Sequence, residues 1–353
     1  MEKKKPSGRA ATHNVSSKYL SQSYENVHLE GIDSFEQDEA SSTQFYTETV
    51  KKAINKVPSV DLNFDYSVNP YQGCEHGCSY CYARPTHEFW GYSAGKDFEQ
   101  KIIVKHNIVE KVEEQLLHKS WKVSPIMLSG NTDCYQPAER KYGLTREILA
   151  LMLKYKHPVS IITKNSLILR DLDILSALAE QNLIRVNMSI CTGDEELRRY
   201  MEPRTSSIKN RFKAIQVLSE AGIPTQIMMA PIIAGLNSHE IPQLLERASK
   251  AGAENASYTV LRLNGAVEQV FKDWLQTYFP NKYNKVISQS LQNQGGNFQH
   301  NNQAFRMKGK GEMATSIKQL FNWARAKHFP NAHSKPLNTS LFRPNPEQLS
   351  LDF

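Results

Sequence analysis

From about residue 60 the chain alternates short apolar runs with longer stretches in which apolar side chains recur at helical spacing. The short runs predict strands at Tyr66–Val68, Ile126–Ser129, Val159–Thr163, Ile184–Ile190, Thr225–Ala230 and Ser257–Leu261. Between them the 3.6-residue period predicts helices at Ile108–His118, Thr145–Tyr155, Asp171–Glu180, Ile208–Ala221 and Ile241–Ala251. Strands that read as apolar runs and alternate with helices of roughly 10 to 15 residues are the pattern of βα units around a parallel sheet. Six such units fit residues 60–265, which suits a doubly wound sheet or an open, partial (β/α) barrel. In either architecture ligands gather at the carboxyl ends of the strands.

The flanks lack this rhythm. Residues 1–58 carry no sustained apolar period and are rich in Ser, Thr, Asn, Glu and Lys, which predicts an N-terminal extension that is partly disordered or wraps the domain. After residue 265, helices near Gln269–Tyr278 and Ala314–Lys327 flank the Gly/Asn-rich stretch QNQGGNFQHNN. The expected division is therefore an extension (1–58), a core (59–265) and a C-terminal helical appendage (266–353). No apolar run approaches the roughly 18 to 20 residues of a membrane span. The opening MEKKKPSGRAATHN has charge but no apolar segment behind it, so a cytoplasmic protein without membrane partners is expected.

With 40% hydrophobic and 22% charged residues in 353, the composition is that of a globular chain and excludes collagen-like, wholly disordered and multi-span classes. Net charge changes the picture more. Of the +7, the eight basic and three acidic residues of 301–353 contribute +5. Such a region either follows a polyanion such as nucleic acid or is a solvated surface. No G-x-G-x-x-G or G-x-x-x-x-G-K-[ST] follows a strand, so the common nucleotide-cradling loops are absent.

Three of the five cysteines, Cys74, Cys78 and Cys81, fall in the stretch NPYQGCEHGCSYCYARP after the first strand. In a reducing compartment clustered thiols point to metal or redox chemistry rather than disulfides. Gly73 and Gly77, free to take positive φ, let so tight a loop turn three thiolates inward. A closed zinc site needs a fourth ligand, for which His76 and His87 are at hand. A three-thiolate [4Fe–4S] cluster instead leaves one iron without a protein ligand, open to a small molecule.

This Cys-x3-Cys-x2-Cys loop, with aromatic Tyr80 before the last cysteine, resembles the signature of radical S-adenosylmethionine (SAM) enzymes. NTDCYQPAERKYGLTREIL, ITKNSLILRDLDIL, MEPRTSS with Arg211, MMAPIIAGLN and FRMKGKGEMA extend the resemblance to a bacterial group related to spore photoproduct lyase. The resemblance implies a partial (β/α)6 barrel, in agreement with the six units counted above. It implies Cys74, Cys78 and Cys81 as ligands of the cluster, SAM chelated at the open iron, and electron transfer that cleaves SAM to a 5′-deoxyadenosyl radical. A reducing partner such as flavodoxin or ferredoxin follows, and nucleic acid is the candidate substrate.

Residue by residue, Tyr80 is the expected adenine neighbour and Ser129-Gly130-Asn131 takes the place of the turn that meets the SAM amino group, departing from the usual Gly-Gly-Glu. Lys164 matches a lysine that pairs with the SAM carboxylate, Ser189 a ribose contact, and Asn237 a pocket-lining residue. Asp133, Cys134 and Tyr135 are the candidates to act on substrate, with Glu139 nearby. Spore photoproduct lyase returns a hydrogen atom from a cysteine whose place is taken here by Gly130, leaving Cys134 as a substitute or a small buried side chain. Cys191 reads as a core thiol; Glu202, Arg204 and Arg211 read as an ion-pair network or an anion contact. Arg84 and His87 are placed to tune the cluster. Two rivals stay open: a DNA-lesion lyase proper, and a non-catalytic iron–sulfur or zinc-binding module.

Overall fold

The computed structural model describes residues 8–16, 42–59, 61–62, 64–299, 305–332 and 335–344. Much of the predicted extension (1–7 and 17–41), residues 300–302 of the Gly/Asn-rich stretch with the two that follow, and the end of the basic C-terminal region lie outside the described residues. Ten strands are described: β1 (Gln44–Glu48), β2 (Asn55–Lys56), β3 (Tyr66–Val68), β4 (Tyr71–Gln72), β5 (Lys101–Lys105), β6 (Ile126–Leu128), β7 (Val159–Thr163), β8 (Ile184–Ser189), β9 (Thr225–Ile232) and β10 (Asn255–Val260).

Seven of them form one sheet in the order β10-β9-β8-β7-β6-β3-β2. All six predicted strands are there, and each is parallel to its neighbour in sequence. Parallel pairing demands a long crossover, and the helices Ile108–Leu116, Leu144–Lys154, Leu172–Glu180, Ile208–Glu220 and Ile241–Lys250 supply it at the predicted places. The Ser207 hydroxyl caps the fourth of these by accepting from Asn210 N–H. The arrangement is a partial barrel whose strands alternate between a closely packed outer face (Ile161, Val186, Met188, Ile227, Met229) and a looser inner one. Register sets the rim: Thr163 pairs with Met188 and Ser189 with Met228, so Lys164 and Ser189 end their strands side by side.

The second sheet, β1-β5-β4, is not in the sequence-based prediction. Its apolar run, Ile102–Val104, is short and flanked by lysines, and it pairs with β1 from the segment expected to be an extension. Residues 8–16 also pack on the domain: Ala11 N–H donates to Glu99 Oε1 at 2.9 Å and Val15 N–H to Ser93 Oγ at 2.8 Å. The described part of the N-terminal segment thus wraps the core.

Of the C-terminal helices Val267–Tyr278, Tyr283–Asn293 and Glu312–His328, the first packs on Leu197 and Met201, after the fourth barrel strand. Ile317, Phe321 and Ala324 of the last one are buried in the barrel's own core. Val260 N–H donates to the Met307 carbonyl at 2.9 Å, so the segment before this helix covers part of the exposed edge of β10. Arg306 then reaches Asp61, on the segment leading into β3, with two hydrogen bonds of 2.6 Å. No helix among the described residues is long and apolar enough to cross a membrane.

Candidate active site

The cysteine loop leaves β4 and is built from buried polar contacts. Gly73 (φ 78°) and Gly77 (φ 63°) occupy the left-handed region, and a Cβ on Gly73 would stand 2.9 Å from the Lys101 carbonyl oxygen. Only glycine takes that turn without strain. Arg84, fully buried, donates to the Cys78 carbonyl at 3.0 and 2.8 Å, to the Ala94 and Gly95 carbonyls at 3.0 Å, and to Glu99 at 2.5 Å. Its guanidinium is therefore a scaffold of the loop. Gln136 ties the loop to the second βα unit, accepting from Glu75 N–H at 2.9 Å and donating to the Gly73 carbonyl at 3.1 Å.

Cys74, Cys78 and Cys81 line one cavity of about 840 Å³, together with Tyr80, Ser129, Gly130, Asn131, Asp133, Lys164 and Ser189. Residues far apart in sequence meet there: Ser129, Asp133, Lys164 and Ser189 end or follow strands of the seven-stranded sheet, and the cysteine loop follows β4 of the other sheet. Burial pushes all three thiols up, and the Lys164 charge opposes this at Cys78 and Cys81. A bound cationic metal centre favours the thiolate. Among the described residues no three His, Cys, Asp or Glu side chains stand at the spacing of ligands to one metal ion.

Lys164 stands on the rim of the cavity. Its ammonium lies 5.9 Å from the Tyr80 ring centre and, among the described residues, has no ion-pair partner within reach. Burial works against its charge, but Cys78, Glu202, Cys191 and Asp133 together keep its pKa above the ordinary lysine value. Beside it, Ser189 Oγ is buried without a hydrogen-bond partner among the described residues, a polar atom on the cavity wall. Asn131 donates from its backbone to Asn69 Oδ1 at 2.7 Å, and Ser129, itself at φ 74°, accepts from Cys134 N–H at 2.7 Å. The rim turn is thereby fixed with the Gly130 carbonyl toward Tyr82, whose hydroxyl donates to it at 2.8 Å.

Asp133 sits against His76 at 3.3 Å and accepts from Lys164 N–H at 2.7 Å and Thr163 Oγ1 at 2.8 Å. Burial alone would raise its carboxyl; His76 and these donors lower it to about 2. It is a fixed anion on the cavity wall.

Cys134, Tyr135 and Asn237 stand elsewhere. Cys134 is fully buried in the main core, its backbone N–H turned to Ser129. The Tyr135 hydroxyl donates to Asp171 at 3.0 Å. Asn237 spends its carboxamide on the backbone, donating to the Cys191 and Pro231 carbonyls and accepting from Ile233 N–H. Glu139 likewise serves the scaffold, accepting from Tyr71, Thr145 N–H and Arg170. The role of Arg262, Lys308 and the last helix in the cavity wall is the part the sequence reading missed. FRMKGKGEMA was its visible signal, without a location.

Comparison with known proteins agrees with this geometry. Residues 68–248 match the family model described as the radical SAM superfamily. An uncharacterized protein of Mycobacterium tuberculosis is 36% identical over 239 residues, 67% of this chain and 70% of that one. An uncharacterized protein of Methanocaldococcus jannaschii is 30% identical over 240 residues, 67% of this chain and 84% of that one. In fold the chain is similar to spore photoproduct lyase, solved with bound AdoMet and dinucleoside spore photoproduct, at TM-score 0.59 and 13% identity over 81% of this chain and 80% of that one. A parallel partial barrel whose cavity is lined by a three-cysteine loop, and a family match that spans that loop and four of the six barrel strands, lead to one conclusion: the chain belongs to the radical SAM superfamily.

Proposed function

We propose that Cys74, Cys78 and Cys81 hold a [4Fe–4S] cluster, that SAM binds beside it, and that the protein cleaves SAM reductively to act on a substrate in the same cavity. The observation that carries this reading is the shared wall: three thiols, the Lys164 ammonium and the Ser189 hydroxyl line one cavity, the last two without an ion-pair or hydrogen-bond partner, respectively, among the described residues.

When bound, the reduced cluster supplies the electron that breaks a carbon–sulfur bond of SAM, giving methionine and a 5′-deoxyadenosyl radical. The chain's own residues bind and orient. Lys164 takes the SAM carboxylate, a charge-assisted contact for a cation with no other ion-pair partner among the described residues. Ser129, Gly130 and Asn131 form the turn facing the amino group, Tyr80 flanks the adenine and Ser189 takes the ribose. Asp133, held ionised, positions substrate. A small electron carrier of the flavodoxin or ferredoxin kind is the proposed partner. Nucleic acid is the proposed target, since spore photoproduct lyase, similar in fold, is solved with a dinucleoside lesion.

The test is anaerobic. Reconstituted protein is reduced with dithionite, given SAM, and assayed for 5′-deoxyadenosine beside Cys78→Ala. Deoxyadenosine only with the intact cysteine supports the proposal; zinc retained in place of iron overturns it.

A further inference from the structure

Besides Lys164, six cations line the cavity: Arg185, Arg262, Arg306, Lys308, Lys318 and Arg325. Two carboxylates line it, and each is engaged, Asp61 with Arg306 at 2.6 Å and Asp133 with His76 at 3.3 Å. Among the described residues, the other five cations have no carboxylate within ion-pair distance. So one-sided a wall raises the local concentration of anions and rewards a ligand that brings the missing charge.

Three of the cations follow one strand. Arg262 lies just past the end of β10; Lys308 donates to the Tyr258 carbonyl at 2.7 Å, midway along it; Arg325 donates to the Asn255 side chain at 2.9 Å, at its start. Arg262 is half-buried, and its one hydrogen bond among the described residues goes to the Met307 sulfur at 3.6 Å, leaving most of a five-donor fork free. It also bears on Tyr82, the residue after Cys81, so this end of the row adjoins the cysteine loop. A single carboxylate would answer one of these cations. Charges repeated along a ligand, as phosphates are, answer the row.

We propose that this side of the cavity is the substrate subsite, that it takes a phosphate-bearing substrate, and that Arg262 and Lys308 determine that specificity. The inference rests on the reading of the cavity as a SAM-dependent site, but its test does not use SAM cleavage. The probes are a fluorescein-labelled nucleoside 5′-monophosphate and a labelled short single-stranded oligodeoxynucleotide, titrated by fluorescence anisotropy against unreduced, reconstituted protein. Arg262→Gln and Lys308→Met are expected to weaken binding about tenfold or more and to flatten its salt dependence, while Lys250→Gln, on an exposed helix face, binds like the wild type. Retained SAM binding in each variant reports that it is folded. Tighter binding of the oligonucleotide identifies a nucleic-acid strand as the source of the phosphate; tighter binding of the mononucleotide identifies a free metabolite. Wild-type protein that binds neither probe, or folded variants that bind both as the wild type does, overturns the proposal.

Discussion

Arg211 donates to Glu202 at 2.6 Å with both side chains buried, and the other oxygen of that carboxylate accepts from the Tyr80 hydroxyl and, at 3.2 Å, from the Cys191 thiol. Ser79 N–H donates to the Met201 carbonyl at 3.0 Å and Arg204 N–H to the His76 carbonyl at 3.3 Å. The turn after the fourth barrel strand therefore clamps the cysteine loop, and one buried ion pair is the bolt. Burial alone would raise the Glu202 carboxyl; Arg211, Lys164 and the Tyr80 hydroxyl bring it down to about 2.

Breaking that pair from one side strands a charge. Glu202→Leu is expected to destabilise the protein by about 3–5 kcal/mol, because Arg211 remains buried without its counter-charge. The double variant Glu202→Leu/Arg211→Met should lose less than the two single variants together. Chemical denaturation of the four proteins checks this; additive losses would count against the clamp.

Only three of the five cysteines face the cavity. Cys74→Ala, Cys78→Ala and Cys81→Ala should each lose most of the bound iron after reconstitution and with it the visible absorption of a cluster. Cys134→Ala and Cys191→Ala, buried in packed surroundings, should keep it. Iron and sulfide analysis beside the spectra separates the two groups.

A SAM carboxylate is the partner expected at Lys164. Lys164→Met should weaken SAM binding about 10- to 100-fold, the worth of a charge-assisted hydrogen bond, with iron content unchanged. Equilibrium dialysis with labelled SAM reads it; an unchanged affinity would remove Lys164 from the SAM site.

His157 is buried, accepts from Trp121 Nε1–H at 3.2 Å and faces the Pro158 carbonyl through Nδ1 at 3.0 Å. Burial lowers its pKa to about 4, with the Pro158 contact opposing. In the unfolded chain the ring titrates near 6.5, so the unfolded state takes up the proton first. The stability this neutral ring contributes is full above about pH 6.5 and falls as the pH drops toward 4. His157→Gln should flatten the decline of Tm over that window; an unchanged slope would assign the decline to other groups.

Much of the barrel was legible because each parallel strand keeps an apolar outer face packed against the helices. Ile161, Val186 and Ile227 announce strands wherever they pack. The cysteine loop was legible because its ligand spacing lies within one turn of chain. β5 and β1 were not: they stabilise each other through pairing between distant segments, and neither run is apolar enough to declare itself. Asn237 matched by position, yet its carboxamide is consumed by three backbone groups, which no linear pattern reveals.

Local chemistry in the sequence determined the six βα units, the tight turn at Gly73 and Gly77 and the three clustered thiols, since each depends on neighbours within a few residues. The tertiary structure decided what faces those thiols. Lys164 and Ser189 meet because parallel register aligns two strand ends. Arg262 and Lys308 share the cavity with them because the C-terminal segment is pinned to the free edge of β10. Backbone hydrogen bonding between segments remote in sequence sets both relationships, and the order of residues along the chain carries no distance between them.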